Sequence, residues 1–286
     1  MMTGRGADSQ NPLGEYLRAR RELVTPQAVG LPEDSRRRVP GLRREEVALL
    51  AGISSDYYLR LEQGRNRNPS AQVLGSIARA LRLDGPSTQY LLGLGTAPRP
   101  SRREPRRGET LAPRVLDLLR TVDAPAFIAG RYADVLASNP LARALSPELR
   151  PGVNLLRAAF LDTDNRLYLD RREMVAMFRR RVGTDLRDPR VAQLVEELSL
   201  ASEAFRRAWA RHDVRPPRGG LVRVDHPQVG AMDLNVSKLA IDDTDEQLLV
   251  IYHPDRAHPE SADRLRLLAS PAGQATPAPQ TPAGDR

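Results

Sequence analysis

Residues Arg44 to Gly64 read REEVALLAGISSDYYLRLEQG, and their reading decides the fold of the front of the chain. Apolar residues recur at the helical period on both sides of Gly52. The spacing predicts a short helix from about Arg43 to Ala51 and a second from Ser55 to about Gln63. Such a pair is a helix-turn-helix. Ala48 is small enough for the second helix to cross closely, and Gly52 supplies the positive backbone angle of the turn. Tyr58 and Leu61, three apart, face the same core as Val47, while Ser54 caps the second helix.

Outward from this motif, LGEYLRARREL (Leu13–Leu23) predicts a first helix with Leu13, Tyr16, Leu17 and Leu23 on or near one face. Val24 to Pro40 breaks the pattern with three prolines, a glycine and the run Arg36-Arg37-Arg38. Those arginines suit a DNA backbone or a solvated loop equally. Beyond the motif, Ser70 caps a helix that buries Val73, Leu74, Ile77, Ala78 and Leu81, and Pro86 to Leu94 gives a fifth. Five helices over residues 13–95 make a complete all-α domain. The small residue, the glycine and the LEQG ending together resemble the lambda-repressor-like (XRE-type) DNA-binding domain. An ordinary αα-hairpin with a glycine turn is the alternative.

Charge supports a polyanionic partner. The chain carries a net charge of +8, and the whole excess lies in the first 114 residues, the remainder being balanced. Cysteine is absent, which excludes disulfides and thiolate metal sites. No long apolar run and no apolar leader predict a cytoplasmic protein without a membrane span.

Residues 1–12 and 271–286 are expected to be disordered, and residues 96–114, rich in proline and arginine, to be a basic linker. Over residues 115–270 the grammar changes. PAFIAGR and ADVLASN read as two short strands around Gly130-Arg131, and Asn139-Pro140 opens a helix. Helices follow, including Asp170–Val182, one opened by Asp188 and Pro189, and Ser202–His212. GLVRVDHP, GAMDLNVSKLAI and EQLLVIYHP then read as antiparallel strands, and Ser261–Ala269 as a last helix. Strands, helices and strands again predict an α+β domain in which terminal segments share one sheet and the helices cover one face.

PAFIAGRYADVLASNPLARAL, DPRVAQLVEELSLASEAFRRAWARHDV and the terminal strands resemble the C-terminal domain of MmyB-like transcription regulators. With the helix-turn-helix in front, the resemblance runs from about Leu13 to Ala269. It implies a PAS-like sensor domain joined to an XRE-type DNA-binding domain, with a small apolar ligand such as a fatty acid. Ser138 stands where relatives commonly place a tryptophan.

For DNA, Arg44, Arg65, Asn66 and Arg67 flank the motif as phosphate contacts, and Tyr57 offers a hydroxyl to a phosphate. Ser55, Asp56, Leu59 and Arg60 lie on the exposed start of the second helix, the part that enters the major groove. Arg60 suits a guanine, and Leu59 a thymine methyl. Asp56 suits either a cytosine amine or the positive helix N-terminus. For the ligand, Asn139, Phe178, Arg179 and Trp209 are the candidates, Arg179 as the partner of a carboxylate and Asn139 as helix cap or pocket edge. No cofactor, catalytic residue or metal ligand is expected, since the four histidines lack a helical HExxH pair. The expected function is a sequence-specific transcriptional regulator, homodimeric on a palindromic duplex, with a sensing rear domain. A rear domain that only dimerises is the second reading, and a metal-dependent enzyme the third.

Overall fold

The computed structural model describes residues 11–32, 37, 39–66, 68–96, 109–162, 170–183, 188–242, 244 and 247–270. Arg67, residues 1–10, the tail 271–286 and most of the linker lie outside them, whereas Asn11 and Pro12, expected to be disordered with the rest of residues 1–12, cap and open the first helix. In chain order come α1 (Pro12–Leu23), α2 (Arg44–Ala51), α3 (Ser55–Glu62), α4 (Ala71–Ala80), α5 (Gly85–Gly95) and α6 (Pro113–Thr121). Next are β1 (Ala126–Ala129), β2 (Val135–Ser138), α7 (Pro140–Leu145), α8 (Leu155–Leu161), α9 (Arg171–Val182), α10 (Pro189–Ala201) and α11 (Glu203–Ala210). The chain then forms β3 (Gly220–His226), β4 (Gly230–Ala240), β5 (Leu248–Pro254) and α12 (Pro259–Ala269).

Contacts divide the chain into two compact units. One is Met1–Arg106 with Arg171–Pro216, and the other is Arg107–Asp170 with Pro217–Arg286. In the first unit, Gly52 ends α2 at φ 68°, the left-handed angle the sequence requires of the turn. Its N–H bonds back to the end of α2, and Ser54 accepts the Tyr57 N–H at 3.1 Å to start α3. Val47, Tyr58, Leu61, Ile77 and Leu91 are fully buried in one core, each apolar side chain contributing roughly 1.5–3 kcal/mol.

Helix α1 is drawn onto the end of α3. A side chain at Gly14 would meet the Glu62 carbonyl oxygen at 2.2 Å, so only glycine permits this approach. Asn11 fastens the contact by donating to the Glu62 carbonyl at 2.9 Å while accepting the Gly14 N–H at 3.0 Å. One member of this core comes from far down the chain: Val214, which is 3% exposed and follows α11. Within α9–α11, Phe178, Phe205 and Trp209 form an aromatic cluster, with Phe205 and Trp209 stacked 5.8 Å apart.

The second unit is built on a five-stranded antiparallel sheet of order β2-β1-β5-β4-β3. The first-arriving hairpin lies beside β5, with Ile128 opposite Leu249, so the terminal segments do share one sheet. Phe127, Ala129, Met232, Leu234 and Val250 point into a core with α7 and α12. Their neighbours Ala126, Ile128 and Leu249 point the other way, onto Val115 and Leu119 of α6. Helices therefore lie against both faces, not one. Helix α6 escaped the sequence reading because its nine residues abut an arginine- and proline-rich stretch with no capping side chain ahead of it.

Candidate nucleic-acid interface and ligand-binding region

Helix α3 presents Ser55, Asp56 and Arg60 to solvent, and Tyr57 and Leu59 are half-buried, with Tyr57 resting on the core. Asp56 and Arg60 form an ion pair one turn apart at 2.8 Å, with both side chains more than half exposed. Exposed pairs of this kind are worth only about 0.3–0.5 kcal/mol, so Arg60 is only weakly held by Asp56. Tyr58, by contrast, is wholly buried, as the apolar spacing requires.

After α3 the chain turns through Gly64, and the Arg65 and Asn66 N–H groups both bond the Arg60 carbonyl, at 2.9 and 3.3 Å. Arg65 is exposed, while Asn66 accepts the Asn68 N–H at 3.4 Å and so shapes the approach to α4. Arg44 stands at the start of α2 with its side chain 44% exposed. Its Nε donates to Glu62 Oε2 at 2.6 Å, which fixes the root of the guanidinium.

Glu62 was not singled out by its pattern, yet it is the electrostatic hub of this surface. It is 2% exposed, and its other oxygen accepts from Arg21 Nε of α1 at 2.7 Å. Arg21 also donates to the Leu42 carbonyl at 2.9 Å, so a single buried carboxylate ties α1 and α2 to the end of α3. In the sequence it is simply an acid between the buried Leu61 and the exposed Gln63. Its partner lies 41 residues upstream, beyond the reach of any periodicity.

Among the ligand candidates, Phe178, Arg179 and Trp209 fall together in the first unit, and Asn139 falls in the second. Arg179 is 1% exposed. Its guanidinium carbon lies 3.7 Å from the centre of the Trp209 ring, and its Nη2 donates to the Trp209 carbonyl at 2.6 Å. Burial pushes the Arg179 pKa down, opposed by the neighbouring Tyr90 hydroxyl. Its Nε has no hydrogen-bond partner. Arg179 is thus a buried cation held by a ring face, a carbonyl and a phenol.

Asn139 uses both ends of its amide. The oxygen accepts the N–H groups of Ala142 at 2.9 Å and Ala126 at 3.1 Å, and the nitrogen donates to the carbonyls of Ala124 at 2.7 Å and Val122 at 3.1 Å. It locks the corner between β1 and α7 and caps α7 as the sequence predicts. Ser138 beside it is buried with its hydroxyl unpartnered.

Among the described residues no group of three or more histidines and carboxylates is arranged to hold a metal ion. His253 meets Ser237 Oγ at 3.0 Å, whereas His258 meets Asp255 Oδ2 at 3.1 Å. No helix among the described residues is long and apolar enough to cross a membrane.

Comparison with known families matches residues 12–91 to a helix-turn-helix domain and residues 111–268 to the MmyB-like transcription regulator ligand binding domain. No curated protein matches the chain. Both matched families are regulatory, one DNA-binding and one ligand-binding, and neither is enzymatic. Because the ligand-binding match covers more than half of the 286 residues, behind a helix-turn-helix whose turn, cap and core stand as described, the chain belongs to the MmyB-like transcription regulators.

Proposed function

We propose that this regulator binds a palindromic operator as a homodimer and that its DNA affinity is set by a small apolar ligand of fatty-acid type. The buried, desolvated guanidinium of Arg179 is the observation that carries the ligand class. An acyl chain buries its methylenes at about 0.8 kcal/mol each, and its carboxylate needs a cation already stripped of water. In this reading Phe178 and Trp209 pack the chain beside Arg179, and Asn139 holds the β1–α7 corner of a PAS-like, XRE-linked sensor.

On DNA, Arg44, Arg65, Asn66 and Arg67 contact phosphates with Tyr57, and Ser55, Asp56, Leu59 and Arg60 read bases. Coupling requires that the ligand bind the DNA-competent and incompetent states unequally, since equal affinity shifts nothing. A tenfold change in operator affinity corresponds to about 1.4 kcal/mol of that difference.

The test uses full-length protein stripped of lipid and a duplex selected from a random pool. Fatty acids of increasing length are titrated while their binding and the duplex affinity are followed. The expected result is binding that strengthens with chain length and changes duplex affinity, both lost in Arg179→Met. Absence of binding at every length returns the rear domain to a dimerising role. Binding that leaves duplex affinity unchanged keeps the ligand and removes the sensor.

A further inference from the structure

The match to the ligand-binding family spans residues 111–268, yet residues 171–216 from the middle of that span belong to the same compact unit as the helix-turn-helix. The two are clamped together at the turn that leaves α11. His212 adopts a left-handed backbone, φ 52°, and its ring meets the edge of Tyr16 on α1 at 6.1 Å. Asp213 takes Arg20 of α1 at 2.6 Å on one oxygen and Arg211 at 2.9 Å on the other. Val214 then enters the helix-turn-helix core itself. A ring contact, a half-buried ion pair and a buried aliphatic on three consecutive residues form a docking element, and the strained backbone at His212 is held by the first two of them.

Helix α1 continues the connection. Tyr16 and Arg20 receive the turn, while Arg21, the next residue along, reaches the buried Glu62 at the end of α3. The Asn11 bond to the Glu62 carbonyl adds a second tie from the same helix. Helix α1 is thus the shared neighbour of the turn and of the end of α3, where Arg44 also pairs with Glu62.

We propose that the His212–Val214 turn is the joint through which the ligand-binding region sets the position of α1 and, through Glu62, the presentation of α3 to DNA. The proposal rests on the reading of the chain as a ligand-responsive DNA-binding protein and assigns the path between the two activities. Chains of packed and ion-paired side chains carry coupling only where perturbing one end is felt at the other, so the proposal stands or falls on measurement.

The experiment is hydrogen exchange on the full-length protein, comparing wild type with Asp213→Asn and Val214→Ala, and with Asp117→Asn on the exposed face of α6 as control. Both joint variants are expected to speed exchange in residues 12–23 and 55–62 by at least about fivefold, the lower end of ordinary couplings, leaving 126–129 and 248–254 at wild-type rates. Linkage demands the reverse effect, so a selected duplex bound to wild type should slow exchange at residues 209–216. Should Val214→Ala loosen the whole unit, Asp213→Glu supplies the milder perturbation with the same expected pattern. Faster exchange confined to residues 203–216, or reaching α1 but not α3, overturns the proposal, as does duplex binding that leaves 209–216 unprotected. Wild-type protein that selects no duplex would instead count against the DNA-binding reading, and the exchange pattern of the variants would still decide the joint.

Discussion

Arg60 is the proposed base-reading side chain of α3. It is held by Asp56 across one helical turn and more than half exposed, so the guanidinium is pre-aimed along the exposed face of α3 yet weakly bound. Arg60→Ala is expected to cost about 1–3 kcal/mol at one base pair of a selected duplex and little on scrambled DNA. Arg44→Ala should weaken both duplexes alike, because a phosphate contact carries no sequence information. Equal losses on both duplexes from Arg60→Ala would make it a further phosphate contact. His212 gives a prediction of another kind. Burial first, and then the Arg179 and Arg20 guanidiniums, lower its pKa from the ordinary 6.5 to about 3. The folded protein therefore keeps this imidazole neutral where the unfolded chain protonates it. Its stabilisation is complete above pH 6.5 and is lost as pH falls toward 3, at up to about 1.4 kcal/mol per pH unit. Thermal melts from pH 7 to pH 5 should show that decline. His212→Asn, which tolerates the left-handed backbone without titrating, should flatten it.

At the scale of elements, α1 does more than fill the bundle. Its apolar face closes the core, its Asn11 and Arg21 hold the end of α3, and its Tyr16 and Arg20 receive the turn after α11. The ion pairs at Glu62 are of the buried type, in which loss of one partner strands the other. Glu62→Gln is expected to destabilise the protein by about 3–5 kcal/mol in chemical denaturation, because Arg21 then keeps its charge at a buried site. A loss below about 1 kcal/mol would place the pair with ordinary surface bridges. The elements themselves were mostly legible. Gly52, Ser54, Ser70 and Asn139 sit where turn and capping chemistry put them, and the three late strands follow their runs of alternating and continuous apolar residues. Helix α6 was not legible, since its amphipathic face spans nine residues and is completed only by Ala126, Ile128 and Leu249 of the sheet.

For the whole molecule, one helix-turn-helix reads few base pairs, and useful specificity calls for two half-sites. Footprinting with the full chain is expected to show a palindrome with half-sites about 34–36 Å apart or a multiple of that. One unrepeated half-site at saturating protein would mean a monomer. Affinity for the duplex should fall linearly in log salt by about 0.9 per phosphate neutralised, reflecting the positive excess confined to the first 114 residues. By itself the sequence determined the helix-turn-helix, the antiparallel α+β sheet and which residues of α3 are exposed, because each rests on local rules of period, cap and turn acting over ten or twenty residues. Only the tertiary structure decided that Glu62 joins three helices, that Arg179 is a buried cation, and that Val214 completes the core of the helix-turn-helix. Those outcomes depend on residues brought together from tens to hundreds of positions apart, and no local pattern encodes which distant side chain will arrive.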